Sequence, residues 1–143
     1  MSNLEQEYTI KHIELIQNVV DRHAQNSFLL RGWSVTLFSI ILVFVGTIGL
    51  NPSLVYFSLI PIICFWYLDA YYLRQERLYR TLYETVVEDL RNGSSTVELL
   101  DLSTAKFDKN IPSTLALAFS RTVILIPLSA IILCVAVSLI LTV

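Results

Sequence analysis

The sequence is poor in charge and in glycine, and each shortage narrows the class of protein that it encodes. Only 15% of the 143 residues are charged, whereas 55% are hydrophobic and the mean hydropathy is +0.63, which is unusual for a soluble domain. The four glycines are isolated, so no glycine-rich loop is present to bind phosphate, which argues against a nucleotide-hydrolysing site. The composition favours a small membrane protein.

Cysteine and histidine are also too scarce for a disulfide framework or a metal site. Cys64 and Cys134 both fall inside uncharged apolar runs, where cysteine acts as a small packing residue. His12 and His23 have no carboxylate at the spacing of a metal motif, and we interpret each as a surface or packing residue. We therefore predict no metal, no cofactor and no enzyme activity.

Three apolar runs are candidates for membrane spans, because a spanning helix needs about 20 mostly apolar residues. They cover residues 32–50, 54–68 and 122–143, and none contains a charged residue. Only the turn sequence Asn51-Pro52-Ser53 separates the first two runs, so they should form an antiparallel hairpin. The sequence predicts an all-α integral membrane protein with three transmembrane helices, a hairpin and a C-terminal span.

The basic residues predict the orientation of these spans. All ten precede the first span or lie between the second and third: Lys11, Arg22, Arg31, Arg74, Arg77, Arg80, Arg91, Lys106, Lys109 and Arg121. By the positive-inside rule, we expect the N-terminus in the cytoplasm and the C-terminus on the other side of the membrane.

Outside the bilayer, two amphipathic segments should pack together. We divide the chain into a cytoplasmic amphipathic helix (1–31), a transmembrane hairpin (32–73), a cytoplasmic helix and loop (74–121) and the third transmembrane helix (122–143). The cytoplasmic helix of 74–121 continues the second span, with an apolar stripe that faces the one on the first helix. Because this layer is thin, we expect a homo-oligomer, such as a tetramer, surrounded by membrane lipids.

Asp69 is the first candidate functional residue, since an acid in the last turns of a span is costly unless it pairs or lines a wet cavity. Arg31 and Arg121, at the cytoplasmic ends of the other two spans, are its candidate partners. The group could be a structural clamp between the spans, or part of an ion path or gate.

A second candidate is the series Arg74, Arg77 and Arg80, which is interleaved with tyrosines such as Tyr79. Guanidinium groups beside aromatic faces can hold phosphates and stack bases, as in single-stranded nucleic-acid or nucleotide sites. Arginines just inside a bilayer are equally expected as topology anchors and contacts for anionic lipids.

A third candidate is a face of small residues that recur every four positions on the last span: Ala130, Cys134, Ser138 and Thr142. Small side chains allow membrane helices to approach closely, so this face could pack against another helix or line a pore. The spacing is compatible with both.

The segments "HIELIQNVVDRHAQNSFLLRGWSVTL" and "FWYLDAYYLRQERLYRTLY" resemble small bacterial membrane effectors of antiphage defence systems, in particular the transmembrane effector of the Hailong system. This resemblance implies an oligomeric, channel-like effector in the bacterial inner membrane. It also implies a restraining single-stranded DNA oligomer made by a partner nucleotidyltransferase. Loss of that DNA would open the channel.

Two functions therefore stand as expectations. The first is a homo-oligomeric inner-membrane effector whose gated pore depolarises the membrane in antiphage defence. The alternative is a non-conducting membrane adaptor that recruits a cytoplasmic partner through its N-terminal helix and loop.

Overall fold

A computed structural model describes residues 3–48, 52–94 and 98–142, and the regular elements in these ranges are all helical. In chain order they are α1 (Asn3–Ile48), a 3₁₀ helix (Pro52–Ser58), α2 (Leu59–Asn92), a 3₁₀ turn (Ala105–Phe107), α3 (Thr114–Ala118) and α4 (Arg121–Thr142). Asn51 of the predicted turn and the terminal Val143 lie outside the described residues.

Three helical segments are long and apolar enough to cross a membrane, which confirms the helical class and the number of candidate spans. They lie within Leu4–Thr47, Leu54–Asn92 and Arg121–Ile140. Each of them contains all or most of one of the uncharged apolar runs that the sequence predicted as spans.

The predicted boundary at residue 31 lies inside one helix, because α1 continues through Arg31 and Gly32 without interruption. No proline occurs before Pro52, and a single glycine inside a helix costs only about 1 kcal/mol relative to alanine. The polar and apolar parts of this segment are therefore one helix.

The start of the second span also differs from a simple α-helix. Residues 52–58 form a 3₁₀ helix, and α2 begins only at Leu59. Ser58 is fully buried and its Oγ donates to the carbonyl oxygen of Val55 at 2.6 Å, so the hydroxyl makes a hydrogen bond inside this tighter turn.

The chain divides into two compact units, of which the first, the polar unit, contains residues 1–25 and 72–113. Its core consists of Ile16, Leu82 and Val86, which are buried at 0%, 0% and 6% exposure. Partly buried residues from α1, α2 and the following loop pack against this core: Ile13, Val20, Tyr79, Tyr83, Leu102 and Phe107. The facing apolar stripes of the two helices thus form the core of this unit.

The loop of the polar unit contributes directly to that core. We call residues 98–113 the strap. It begins after α2, which ends at Asn92 and is followed by Gly93 at φ +66°, a conformation that favours glycine. Leu102 and Phe107 of the strap pack against the core formed by the two helices.

The second compact unit, the apolar unit, contains residues 26–71 and 114–143. Its buried core draws on α1, the 3₁₀ helix, α2 and α4: Phe38, Val45, Val55, Ile62, Ala130 and Cys134. Large apolar side chains also cover its outside, for example Phe44, Ile63, Ile132 and Leu139, which are each more than half exposed. A surface of this kind suits a hydrocarbon environment.

Candidate functional site

The candidate site of the apolar unit is built around Asp69 of α2, which is only 4% exposed. The Nε group of Arg31 donates to its Oδ2 atom at 2.8 Å, and the hydroxyl of Ser27 donates to its Oδ1 atom. Both carboxylate oxygens are therefore hydrogen-bonded. Ser27 and Arg31 are four residues apart on α1, so they present both donors from one face of the helix.

The two members of this ion pair differ in exposure. The side chain of Arg31 is 35% exposed, whereas that of Asp69 is 5% exposed. Removing a carboxylate from water is expensive, and this loss is offset only when its lone pairs are hydrogen-bonded and a cation lies next to it. Ser27 and Arg31 meet both conditions, and removing either donor would leave a buried oxygen unsatisfied.

A cavity of about 10 Å³ lies beside the pair, with Arg31, Asp69, Ile62 and Pro127 among its lining residues. This volume is at the lower limit for one water molecule. Pro127 is inside α4 and lacks an N–H group, so it cannot donate to the carbonyl oxygen of Val123 one turn earlier. The residues that line this cavity come from α1, α2 and α4, so the three long helices meet beside the ion pair.

The second predicted partner, Arg121, does not contact Asp69. It is exposed at the first position of α4, and no hydrogen bond or ion pair of its side chain occurs within the ranges that the structure describes. The sequence therefore identified one of the two donors, Arg31. It missed Ser27, whose only signal was its position one helical turn before Arg31.

Arg74 has a structural role in the polar unit, where it fixes the strap. Its Nη2 group donates to the Oδ1 atom of Asp108 at 2.8 Å and to the Asp108 carbonyl oxygen at 3.3 Å, and its Nε group donates to the Pro112 carbonyl oxygen at 3.1 Å. The side chain is only 17% exposed. Arg74 is therefore mostly turned away from solvent, and its role in binding a ligand or nucleic acid stays a prediction.

The other members of the arginine series differ from Arg74 and from each other. Arg80 donates to Glu76 at 2.7 Å in an i,i+4 ion pair. Arg77 is exposed, and its guanidinium has no partner among the described residues. Arg77 is thus the member of this series whose guanidinium is exposed and has no acidic partner in the described ranges.

A groove of about 490 Å³ lies next to Arg80 in the polar unit. Its other lining residues are Gln17, Val20, Asp21, Tyr83 and Glu84. Two carboxylates face one guanidinium that is already paired with Glu76, so the local charge does not favour a polyanion.

His23 packs between two tyrosines of α2 in the polar unit. Its ring centroid lies 5.7 Å from that of Tyr72 and 5.6 Å from that of Tyr79, the latter pair nearly parallel at 22°. The Nδ1 atom is buried and has no hydrogen-bond partner in the part of the chain that the structure describes. Burial lowers the pKa of His23 below its usual 6.5, the neighbouring Arg22 lowers this pKa further, and Glu76 acts in the opposite direction. Tyr79 is thus a packing partner of this histidine.

His12 fixes the beginning of the strap. It is 1% exposed, and its Nε2 atom lies 3.1 Å from the carbonyl oxygen of Asp101. Since a carbonyl oxygen only accepts, the Nε2–H group is the donor. His12 and Arg74 therefore hold the two ends of the strap, and the described ranges contain no group of three or more histidine, cysteine or acidic residues that could bind a metal.

The small face of α4 is used for packing inside the apolar unit. Ala130 and Cys134 are 5% and 0% exposed and belong to its core. The Sγ atom of Cys134 lies 3.4 Å from the Oγ atom of Ser58. Ser138 is half-buried, and the side chain of Thr142 lies outside the described residues. In a single copy, the first two members of this face contact helices rather than a pore.

Comparison of the chain with family models, curated proteins and solved structures gave no match.

Proposed function

We propose that this protein is a homo-oligomeric membrane effector that forms a gated channel, and that the Arg31–Asp69 pair belongs to its closed state. The observation that supports this proposal most directly is the ion pair itself, in which a buried carboxylate of a mainly apolar unit lies 2.8 Å from the partly exposed guanidinium of Arg31. Apolar residues of similar volume commonly stabilise a protein as well as a buried ion pair does. An ionisable group kept at membrane depth is therefore a candidate for function.

Conduction would need more than one copy. The cavity beside Asp69 has a volume of about 10 Å³, too small for a hydrated path. The small residues Ala130 and Cys134 are already buried within the copy. A conduit would therefore form between copies, where the exposed sides of the long helices meet.

Opening would separate Arg31 from Asp69. The separated charges need water or ions as new partners, because an isolated charge in an apolar medium is strongly unfavourable. A pathway that becomes hydrated supplies such partners. The ion pair would then stabilise the dry, closed state relative to the open one.

Membrane potential in cells that express this chain is the test. The variants are Asp69→Asn, Arg31→Gln and their combination, with Asp21→Asn, an exposed acid of the polar unit, as the matched control. At equal amounts of inserted protein, weakening the pair should increase depolarisation several-fold, whereas Asp21→Asn should behave as the parent chain. An intact potential with every variant would contradict the channel proposal.

A membrane adaptor is a second candidate, because the N-terminal part of α1 exposes large apolar side chains. Leu4, Tyr8 and Ile10 are 64%, 50% and 59% exposed. An adaptor would leave the membrane potential intact in every variant above. It would lose its partner on Ile10→Asp, which changes an exposed residue, whereas Val20 on the same helix packs against the core of the polar unit and is not a suitable probe.

We propose further, from the resemblance to antiphage effectors, that the site of action is the bacterial inner membrane and that a single-stranded DNA oligomer restrains the channel. The exposed guanidinium of Arg77 supports binding of such an oligomer, whereas the engagement of Arg74 with the strap and the acids near Arg80 oppose it. If DNA binds this surface, Arg77→Gln should weaken oligonucleotide binding by the solubilised protein. Unchanged affinity would refute this part of the proposal.

A further inference from the structure

The guanidinium of Arg31 has more donors than the protein uses. A guanidinium carries five N–H donors. The Nε–H group is bound by Asp69, and the four N–H donors on the two Nη atoms have no partner within the described residues. The side chain is 35% exposed, and because Nε faces the buried carboxylate of Asp69, we assign this exposure to the outer edge of the guanidinium.

The neighbours of Arg31 indicate what those surroundings are. Phe28 and Trp33 on α1 are 77% and 58% exposed, and Tyr67 and Tyr71 on either side of Asp69 are 51% and 42% exposed. The uncharged run of α1 begins directly after Arg31, at Gly32. Exposed aromatic residues at the end of an apolar run are typical of the headgroup level of a bilayer.

Phosphate oxygens are the abundant hydrogen-bond acceptors at that level. A guanidinium binds phosphate through two parallel N–H groups, and the two Nη groups offer such an edge while Nε remains with Asp69. We propose that this outer edge of Arg31 binds the phosphate of a phospholipid headgroup, with a preference for anionic phospholipids. In zwitterionic lipids the ammonium group next to the phosphate weakens the attraction to a cation.

This inference requires the membrane insertion assumed in the proposed function, but it does not require conduction. Asp69 and the lipid phosphate would share one cation from different edges. Removing the charge of Asp69 should therefore strengthen the preference of Arg31 for anionic lipid, whereas removing Arg31 should abolish it.

Electron paramagnetic resonance of spin-labelled lipids tests the proposal in phosphatidylcholine bilayers that contain the full chain. The ratio of motionally restricted phosphatidylglycerol to phosphatidylcholine measures the preference, which should be about fivefold for one arginine at the surface. It should fall to near one in Arg31→Gln, rise in Asp69→Asn and stay at the parent value in Arg91→Gln, an exposed arginine of the polar unit.

Two further arms keep the result interpretable. Arg31→Lys preserves the positive charge beside Asp69 but has no second planar edge, so its preference should be clearly reduced even if Arg31→Gln fails to fold. Millimolar inorganic phosphate in the buffer should leave the preference unchanged if the ligand is a headgroup. A parent-like ratio in both Arg31 variants, or loss of the preference on adding phosphate, would overturn the proposal. The channel proposal is tested separately by membrane potential.

Discussion

Arg31 donates through Nε to the Oδ2 atom of Asp69 at 2.8 Å, and this contact joins residues 38 positions apart in the chain. It links α1 to α2 within the apolar unit, where most of the side chains next to the pair are apolar. Ser27 occupies the other carboxylate oxygen. The three side chains form one hydrogen-bonded group, so a change in any of them should affect the others.

We expect the effects of Asp69→Asn and Arg31→Gln on stability to be non-additive. Each single change should lower the free energy of unfolding by about 1–3 kcal/mol, since a charged hydrogen bond is lost and a polar partner stays behind. The double variant should cost less than the sum, because no unpaired charge remains. Denaturant titration in mixed micelles gives the free energy of unfolding of the parent chain, the two single variants and the double variant. Strict additivity of the losses would show that the contact does not couple the two residues.

The strap should loosen in Arg74→Gln but not in Arg77→Gln. The Arg74 guanidinium donates three hydrogen bonds to Asp108 and Pro112, whereas the Arg77 guanidinium donates none to the described residues. We expect hydrogen exchange of the strap amides to accelerate roughly five- to thirty-fold, corresponding to about 1–2 kcal/mol, a value reduced for the exposure of Asp108. Equal exchange in the two variants would mean that Arg74 does not hold the strap.

Leu82→Ala should strongly destabilise the polar unit, because Leu82 is fully buried in its core. The loss of packing and the resulting cavity should lower the free energy of unfolding by about 2–5 kcal/mol. Leu90→Ala on the same helix is the matched control, since Leu90 is 43% exposed and should change stability by only about 0.5 kcal/mol. Similar losses in both variants would contradict the assigned core.

His23 should make the stability of the polar unit depend on pH. Burial lowers its pKa in the folded state below 6.5, so the unfolded chain binds the proton first as the pH falls. The stabilisation from neutral His23 is thus fully present above pH 6.5, declines below it and is lost once the pH passes the folded-state pKa.

The measurement is the free energy of unfolding between pH 7.5 and 5.5 for the parent chain and for His23→Phe, which retains an aromatic ring between Tyr72 and Tyr79. In the parent, His23 adds a slope of up to about 1.4 kcal/mol per pH unit, the limit for one proton. The variant should lose this contribution. Parallel curves for the two proteins would show that the histidine, facing Arg22 and Glu76, does not titrate as inferred.

The sequence determined the helices and the candidate spans, because helix length and hydropathy are local properties of the chain. The three uncharged runs predicted the three candidate spans, and the facing stripes of α1 and α2 indicated the core around Ile16 and Leu82. A carboxylate in the last turns of a span also required a cation, which made Asp69 and Arg31 recognisable as a candidate pair.

Only the tertiary structure decided which partners these residues take. It selected Arg31 over Arg121, added Ser27, assigned Arg74 to the strap and buried Ala130 and Cys134 against helices. Residue type alone does not distinguish an arginine that binds a carbonyl oxygen from one that faces solvent. That choice depends on which segments approach within about 3 Å, and residues as far apart as Arg74 and Asp108 meet only through the path of the whole chain.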